Sequence, residues 1–187
     1  LKSFSKLFHK NNLPNTILLT GQKGSGKATF CYHFINYLLS INEENKYNLE
    51  KAKINPENKS YKNLCENTHP NFFLLENKDF EGNIKIEDVR IILKFLNKTT
   101  YNSNIKIVMI DNAEYLNTNS SNALLKALEE PTNNTFFFII HNNSKKLLST
   151  IKSRSIEFKF FLNFDEKKSI LQDLLNQYRN ILMNNKI

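Results

Sequence analysis

Hydrophobic residues along the chain fall into short continuous runs, separated by longer stretches in which apolar residues recur at helical spacing. The runs predict strands at 17–19, 71–76, 105–110 and 135–140, with a more exposed, alternating strand at 156–160. Helices are predicted at 2–10, 27–39, 87–96, 120–130, 145–152 and 165–183. Nearly continuous apolar strands that alternate with helices are typical of a parallel sheet covered on both faces. The pattern therefore predicts an α/β fold.

Residues 41–70 and 165–183 are predicted from composition and from a single apolar face, respectively. Residues 41–70 are poor in apolar residues and rich in Lys, Asn and Glu, so we expect a surface excursion with one short helix near Tyr47 to Lys53. Within it, Cys65 and His69 are the only plausible metal ligands, and two ligands do not make a closed zinc site. The final helix, 165–183, is predicted from an apolar face formed by Ile170, Leu171, Leu174, Leu175 and Tyr178.

Composition narrows the class of protein. Hydrophobic residues make up 40% of the chain and include 15 Phe, which is ample for a core and excludes global disorder. No apolar run approaches the roughly 20 residues of a membrane span, so no membrane partner is expected. The chain begins at Leu1 without a signal-peptide pattern, and we interpret it as an excerpt of a longer cytoplasmic protein.

The net charge of +8 raises the possibility of a nucleic-acid partner. The lysines are scattered along the chain and interleaved with Asn, so most of them are interpreted as solvated surface. A general DNA-binding module stays open as an alternative, and salt-dependent DNA affinity would be its signature.

The most informative short motif runs from Gly21 to Ala28 and reads Gly-Gln-Lys-Gly-Ser-Gly-Lys-Ala. It follows a predicted strand and opens a predicted helix, which is the context that a phosphate-binding loop requires. Its glycines allow a tight turn, and the helix N-terminus favours bound anions. Lys27 is expected to reach the outer phosphates of a nucleotide.

One position of this loop departs from the usual pattern. Ala28 stands where a Ser or Thr hydroxyl normally holds Mg²⁺. Thr29 supplies a hydroxyl one residue later, but it is rotated by roughly 100° around the helix. ATP or ADP could bind to such a loop, whereas a role for Mg²⁺ is left open.

A second nucleotide motif ends the strand at 105–110, where an apolar run delivers Asp111. A carboxylate at this position usually faces Mg²⁺ beside the phosphate loop. In hydrolytic members of this class a Glu follows, but here the next residue is Asn112, a neutral amide that cannot act as a base. General base catalysis is typically worth 10²–10⁴-fold, so poor or absent hydrolysis is expected. Glu114 follows shortly after, and the sequence does not establish whether it reaches the site.

The most specific stretch, Ser120 to Pro131, reads Ser-Ser-Asn-Ala-Leu-Leu-Lys-Ala-Leu-Glu-Glu-Pro. A core-facing helix explains its apolar positions and leaves the run Leu-Glu-Glu-Pro unexplained. Together with Ser153-Arg154-Ser155, the stretch closely resembles the clamp-loader branch of the AAA+ ATPases. Within that branch it resembles the delta-prime subunits of bacterial DNA polymerase III, whose alphaproteobacterial members often carry a Gly-Lys-Ala loop.

The resemblance implies an AAA+ P-loop NTPase fold with sheet order 5-1-4-3-2, formed by residues 1–162. Residues 163–187 would begin a helical lid domain, and a further collar domain would be absent from this chain. The implied partners are the motor and delta subunits of a hetero-pentamer, together with the sliding clamp and primed DNA. A motor subunit of the same machine is the alternative, which Ala28 and Asn112 oppose.

The resemblance also implies roles for individual residues. Arg154 matches the arginine that reaches the nucleotide of a neighbouring subunit, and an ordinary salt bridge is its alternative. Asn142 aligns with the polar sensor of the γ-phosphate, with a plain strand-end turn as the alternative. Many relatives carry a four-cysteine zinc module that this chain lacks, so no zinc is predicted. The expected nucleotide-site residues are Gly21, Gly24, Ser25, Gly26, Lys27, Ala28, Thr29, Asp111 and Asn142.

Overall fold

In a computed structural model, the described residues are 1–77, 82–98, 100, 105–132, 134–172 and 175. The strands are β1 (Thr16–Gly21), β2 (Phe72–Leu75), β3 (Lys106–Ile110), β4 (Thr135–Asn142) and β5 (Ile156–Phe160). The helices are α1 (Lys2–His9), α2 (Lys27–Leu39), α3 (Lys59–Cys65), α4 (Ile86–Leu96), α5 (Thr118–Glu129) and α6 (Ser149–Lys152). A 3₁₀ turn spans Ala113–Tyr115, and residues 164–172 are helical. Within these ranges no helix is both long enough and apolar enough to cross a bilayer.

The five strands form one parallel sheet in the order β2-β3-β4-β1-β5. Counted from the other edge, this is the predicted order 5-1-4-3-2. The last residue of β1, Gly21, lies opposite Asn142 of β4 and Phe160 of β5. Because all the strands are parallel, their carboxyl ends meet at one edge of the sheet, where ligands bind in folds of this kind.

Adjacent residues of a strand pack on opposite faces of this sheet. Phe138 contributes to an apolar cluster beneath α1 and α2, whereas Phe137 contributes to a second cluster beneath α4 and α5. Both rings are fully buried. Burial on both faces explains why β1, β3 and β4 read as continuous apolar runs, while the edge strand β5 alternates and is more exposed.

The predicted helix near Tyr47 to Lys53 is wrong. Asn48 and Lys53 instead form an antiparallel bridge, with reciprocal N–H to O distances of 3.0 Å, and the short helix of the excursion is α3. The Asn48 side chain accepts a hydrogen bond from the Lys51 N–H at 3.0 Å, which offers the backbone an alternative to a helix. Asn58 caps α3 through the Tyr61 N–H at 2.6 Å, so the helix begins there.

Two helices, α5 and α6, begin more than one residue away from the predicted start. Helix α5 begins at Thr118, before the predicted start at residue 120, and is capped by Asn117, whose Oδ1 accepts the Ser120 N–H at 2.8 Å. Helix α6 is four residues long and begins at Ser149, because the backbone of Leu148 is extended with ψ of 132°. For the final helix, residues 164–172 are helical, while much of the predicted remainder, with Leu174 and Tyr178, lies outside the described residues.

A buried polar network holds the excursion between α2 and β2. Asn58 is fully buried, and its Oδ1 accepts from Asn36 Nδ2 at 2.9 Å. Its own Nδ2 donates to the Asn45 carbonyl at 2.8 Å. Since an unpaired buried polar group costs about 1–3 kcal/mol, this one side chain ties α2, the following loop and α3 together.

Substitution of this residue tests the network. Asn58→Ala should lower the free energy of unfolding by about 2–4 kcal/mol, because it removes a cap worth about 1 kcal/mol and leaves buried partners unpaired. Urea denaturation of the wild-type and variant chains measures the difference.

The matched control is Asn117→Ala, which removes an asparagine cap from the more exposed start of α5. Its loss should be about 1 kcal/mol. Equal losses for the two variants would show that Asn58 acts as an ordinary cap and that the network adds nothing.

Candidate functional site

The loop after β1 has the geometry of a phosphate cradle. Gly24 and Gly26 have φ of 78° and 84°, a left-handed conformation that other residues adopt only with strain. A Cβ at Gly21 would lie 2.4 Å from the Phe160 carbonyl oxygen, so β5 also requires glycine there. Helix α2 begins immediately after Gly26 and presents its N-terminus to the loop.

Lys27 is the buried cation of this loop. Its side chain is almost fully inaccessible, and Nζ donates to the Gly21 carbonyl at 3.1 Å and the Gln22 carbonyl at 2.7 Å. A third bond reaches Ser25 Oγ at 3.3 Å. Burial lowers the pKa of Lys27, while the nearby carboxylates of Glu114 and Asp111 raise it. The lysine therefore lies within electrostatic reach of both acidic side chains.

Asp111 lies at the same edge of the sheet, directly after β3. Its backbone N–H bonds to the Leu75 carbonyl at 2.8 Å, which fixes its position beside β2. Burial raises the pKa of Asp111, and the Asn112 N–H, 2.9 Å from Oδ1, lowers it. Repulsion from Glu114 and Glu76 raises this pKa further, while Lys27 lowers it. The structure therefore places Asp111 within electrostatic reach of Lys27, at the carboxyl ends of the strands.

Asn112, Glu114 and Asn142 form a hydrogen-bonded cluster beside them. Asn112 has a left-handed backbone with φ of 57°, which turns the chain into the 3₁₀ turn and directs Glu114 toward β4. Glu114 Oε2 accepts the Asn142 backbone N–H at 3.1 Å, and Glu114 Oε1 accepts Asn142 Nδ2 at 3.0 Å. Glu114 is therefore a site residue that the sequence reasoning left undecided. An Asn before a short turn, a residue type enriched at positive φ, was the available signal.

The side chain of Asn142 is held within the chain. Its Nδ2 also donates to Asn112 Oδ1 at 2.6 Å, so both amide hydrogens have partners. The residue is buried at the end of β4, which extends two residues beyond the predicted strand. In this arrangement its N–H donors face Asn112 and Glu114, and contact with a phosphate requires them to change partners.

The metal-binding side of the site is sparse. Ala28 packs against the apolar cluster beneath α1 and α2, and Thr29 is an exposed residue of the first helical turn. Across the described ranges, no group of three or more His, Cys, Asp or Glu side chains could hold a metal ion. Of the two positions expected to contact Mg²⁺, 28 and 111, Asp111 is thus the one that carries an oxygen ligand.

Arg154 lies near the amino ends of the strands, whereas the phosphate loop lies at their carboxyl ends. It precedes Ile156, which pairs with Ile17 at the start of β1, whereas the phosphate loop follows Gly21 at the end. The amino and carboxyl ends of the strands are separated by the length of β5, which is roughly 16 Å at about 3.3 Å per residue. Arg154 is therefore remote from the loop of its own chain.

The guanidinium of Arg154 forms an ion pair with Glu129, the last residue of α5. Nε donates to Glu129 Oε1 at 2.6 Å, and Nη2 contacts the same oxygen. The Arg154 side chain remains 28% exposed and the Glu129 side chain 47% exposed. Sequence reasoning missed Glu129 as a partner, although the unexplained run Leu-Glu-Glu-Pro contains it. Ser155, which follows the arginine, donates from Oγ to the Ile151 carbonyl at 2.8 Å.

Comparisons with known proteins show which family of proteins this chain is similar to. The delta' subunit of DNA polymerase III from Pseudomonas aeruginosa is 33% identical over 154 residues, covering 82% of this chain and 45% of that protein. The gamma subunit from Buchnera aphidicola subsp. Schizaphis graminum is 29% identical over 182 residues, covering 97% of this chain and 46% of that protein. The chain thus spans about half the length of these curated relatives.

A solved structure supports the same fold. A DNA polymerase III gamma subunit-related protein from Thermotoga maritima superposes with a TM-score of 0.55 and 22% identity, covering 87% of this chain and 47% of that one. With the observed sheet order, this confirms the predicted AAA+ fold. The relatives named delta' confirm the resemblance noted from the motifs. A sequence model of the family described as DNA polymerase III, delta subunit, matches residues 1–163, and the chain therefore belongs to that family.

Proposed function

We propose that the chain is the AAA+ part of a delta-prime subunit of the DNA polymerase III clamp loader. It would act in the cytoplasm with motor and delta subunits, in a hetero-pentamer that places the sliding clamp on primed DNA. Relatives named delta' at 33% identity and the family match over residues 1–163 support this assignment. Residues from 163 onward would begin the helical lid, and a collar would follow in the complete subunit.

ATP or ADP is the proposed ligand of the phosphate loop. The loop amides, the N-terminus of α2 and Lys27 would hold the phosphates. The left-handed Gly24 and Gly26 and the buried Lys27 fit such a ligand. Asp111 would be the protein group nearest to a bound Mg²⁺, while Ala28 offers the metal no oxygen.

Weak hydrolysis by this subunit is the second part of the proposal. The observation that carries it is the amide of Asn112, which stands in the base position and is hydrogen-bonded to Asn142 at 2.6 Å. An amide cannot take a proton from water, and Asn142 already uses both of its amide hydrogens within the chain. Glu114 is the nearby carboxylate, and it is engaged by the backbone and side chain of Asn142.

Arg154 is proposed to act on the nucleotide of a neighbouring subunit. It lies at the edge of the sheet remote from its own loop, and its side chain is partly exposed. A guanidinium placed near a γ-phosphate stabilises the charge that develops during transfer. The Lys27 loop and Arg154 would thus serve two different nucleotide sites.

A motor subunit is the second candidate. The similarity to a gamma subunit over 97% of this chain favours it. The two candidates differ in the chemistry of one site, because a motor needs a metal-binding hydroxyl and a base where this chain has Ala28 and Asn112.

ATP turnover by the isolated full-length subunit separates these candidates. We expect phosphate release no faster than that of a Lys27→Ala variant, because the base and one metal ligand are missing. Robust turnover that Lys27→Ala abolishes would identify a motor and reject the delta-prime assignment.

Arginine-finger function is tested in the reassembled loader. Arg154→Ala should slow hydrolysis at the served site, where fingers measured in GTPases are worth 10³–10⁵-fold, while assembly measured by size-exclusion chromatography stays unchanged. Single-turnover hydrolysis separates the chemical step from product release.

Lys152→Ala, which removes a neighbouring exposed cation, is the matched control. It should leave hydrolysis at the wild-type rate. If the Arg154→Ala loader hydrolyses ATP as fast as this control, Arg154 does not act as an arginine finger.

A further inference from the structure

We infer that Glu129 is a positioning residue for Arg154, and that its carboxylate holds the guanidinium in the orientation from which it meets a neighbouring nucleotide. This inference rests on the proposed function of Arg154. It also assigns a role to the first carboxylate of the Leu-Glu-Glu-Pro run, which core packing leaves unexplained.

The contacts of Arg154 fix the plane of its guanidinium. The Nε–H donates to Glu129 Oε1 at 2.6 Å, and Nη2 is ion-paired with the same carboxylate oxygen. Nη1 donates to the Thr150 carbonyl at 3.1 Å and to Ser153 Oγ at 3.3 Å. Three hydrogen bonds and one ion pair thus hold the guanidinium, while 28% of the side chain stays exposed to a partner.

The position of Glu129 is itself set by rigid elements. It ends α5, which is anchored by buried Leu128 and by the hydrogen bond from Ser120 Oγ to the Ile84 carbonyl at 2.7 Å. A contact of 3.3 Å between Ser121 Oγ and Thr150 Oγ1 joins α5 to α6, which carries the other partner of Arg154. A functional side chain that is held by packed helices keeps its geometry better than one on a free loop.

The exposure of the pair argues against a purely stabilising role. An ion pair with side chains 28% and 47% exposed contributes little to folding. Its geometric effect is larger, because a long side chain held in one rotamer loses less freedom when it contacts a phosphate. The negative C-terminus of α5 adds to the attraction for the guanidinium.

The experiment uses the full-length subunit in the reassembled loader and compares Glu129→Gln with Glu130→Gln. Glu130 is the adjacent exposed carboxylate, and its side chain has no ion pair within the described part of the chain. Glu129→Gln should slow single-turnover hydrolysis by about 10-fold, below the roughly 10²-fold cost of a full misplacement. Glu130→Gln should have no effect.

A double-variant cycle tests whether Glu129 acts through Arg154. A purely structural role of Glu129 would not give the result expected here. Glu129→Gln combined with Arg154→Ala should be no slower than Arg154→Ala alone, because the carboxylate acts through the arginine. Glu129→Asp, which keeps the charge on a shorter side chain, should recover part of the rate. Thermal unfolding midpoints of the Glu129→Gln and Glu130→Gln subunits should agree.

Failure of the inference and failure of the proposed function give different results. If Arg154→Ala slows hydrolysis while Glu129→Gln matches Glu130→Gln or accelerates hydrolysis, the inference is overturned and the finger stands. If Arg154→Ala itself has no effect, the proposed function of Arg154 falls, and the role of Glu129 falls with it. Additive losses in the cycle would also overturn the inference, since Glu129 would then act independently of Arg154.

Discussion

The parallel pairing of β1 with β4 and β5 is the constraint on which the candidate site depends. It places Gly21 opposite Asn142 and Phe160, so that the loop after β1 and the end of β4 meet at one edge of the sheet. The same pairing places Ile156 beside Ile17, which puts Arg154 at the other edge. The close approach of β5 suits this register, because a Cβ at Gly21 would lie 2.4 Å from the Phe160 carbonyl oxygen and only glycine fits there. Two sets of polar groups are thus separated by the length of a strand.

These two edges have different chemical capacities. At the carboxyl edge, buried Lys27 lies within electrostatic reach of Asp111 and Glu114, and the Glu114 carboxylate is already hydrogen-bonded to Asn142. Asn112 and Asn142 are bonded to each other, and this further limits what the site can do with water. At the amino edge, Arg154 is ion-paired with Glu129 and remains partly exposed. The proposed subunit, which keeps a nucleotide cradle and offers an arginine to a neighbour, accounts for both observations.

The sequence predicted the elements whose signals are local. The apolar strands and the glycine loop were found because burial on two faces and positive φ restrict residue types strongly. The sheet order came from the resemblance and not from periodicity. Glu114 and Glu129 were not found as site residues, because their roles arise from a turn at Asn112 and from the packing of α5 against α6. The helix of the excursion was misplaced because Asn58, which starts it, is stabilised by a buried partner, Asn36, that is 22 residues away along the chain.

We propose that this chain binds nucleotide but lacks the groups needed to hydrolyse it. Calorimetric titration of the full-length subunit with ATP, with and without Mg²⁺, measures binding and turnover in one experiment. We expect a binding heat at the start of the titration, an affinity that changes little with Mg²⁺, and a baseline that returns to zero after each injection. Strongly Mg²⁺-dependent binding followed by a sustained heat of turnover would contradict the proposal.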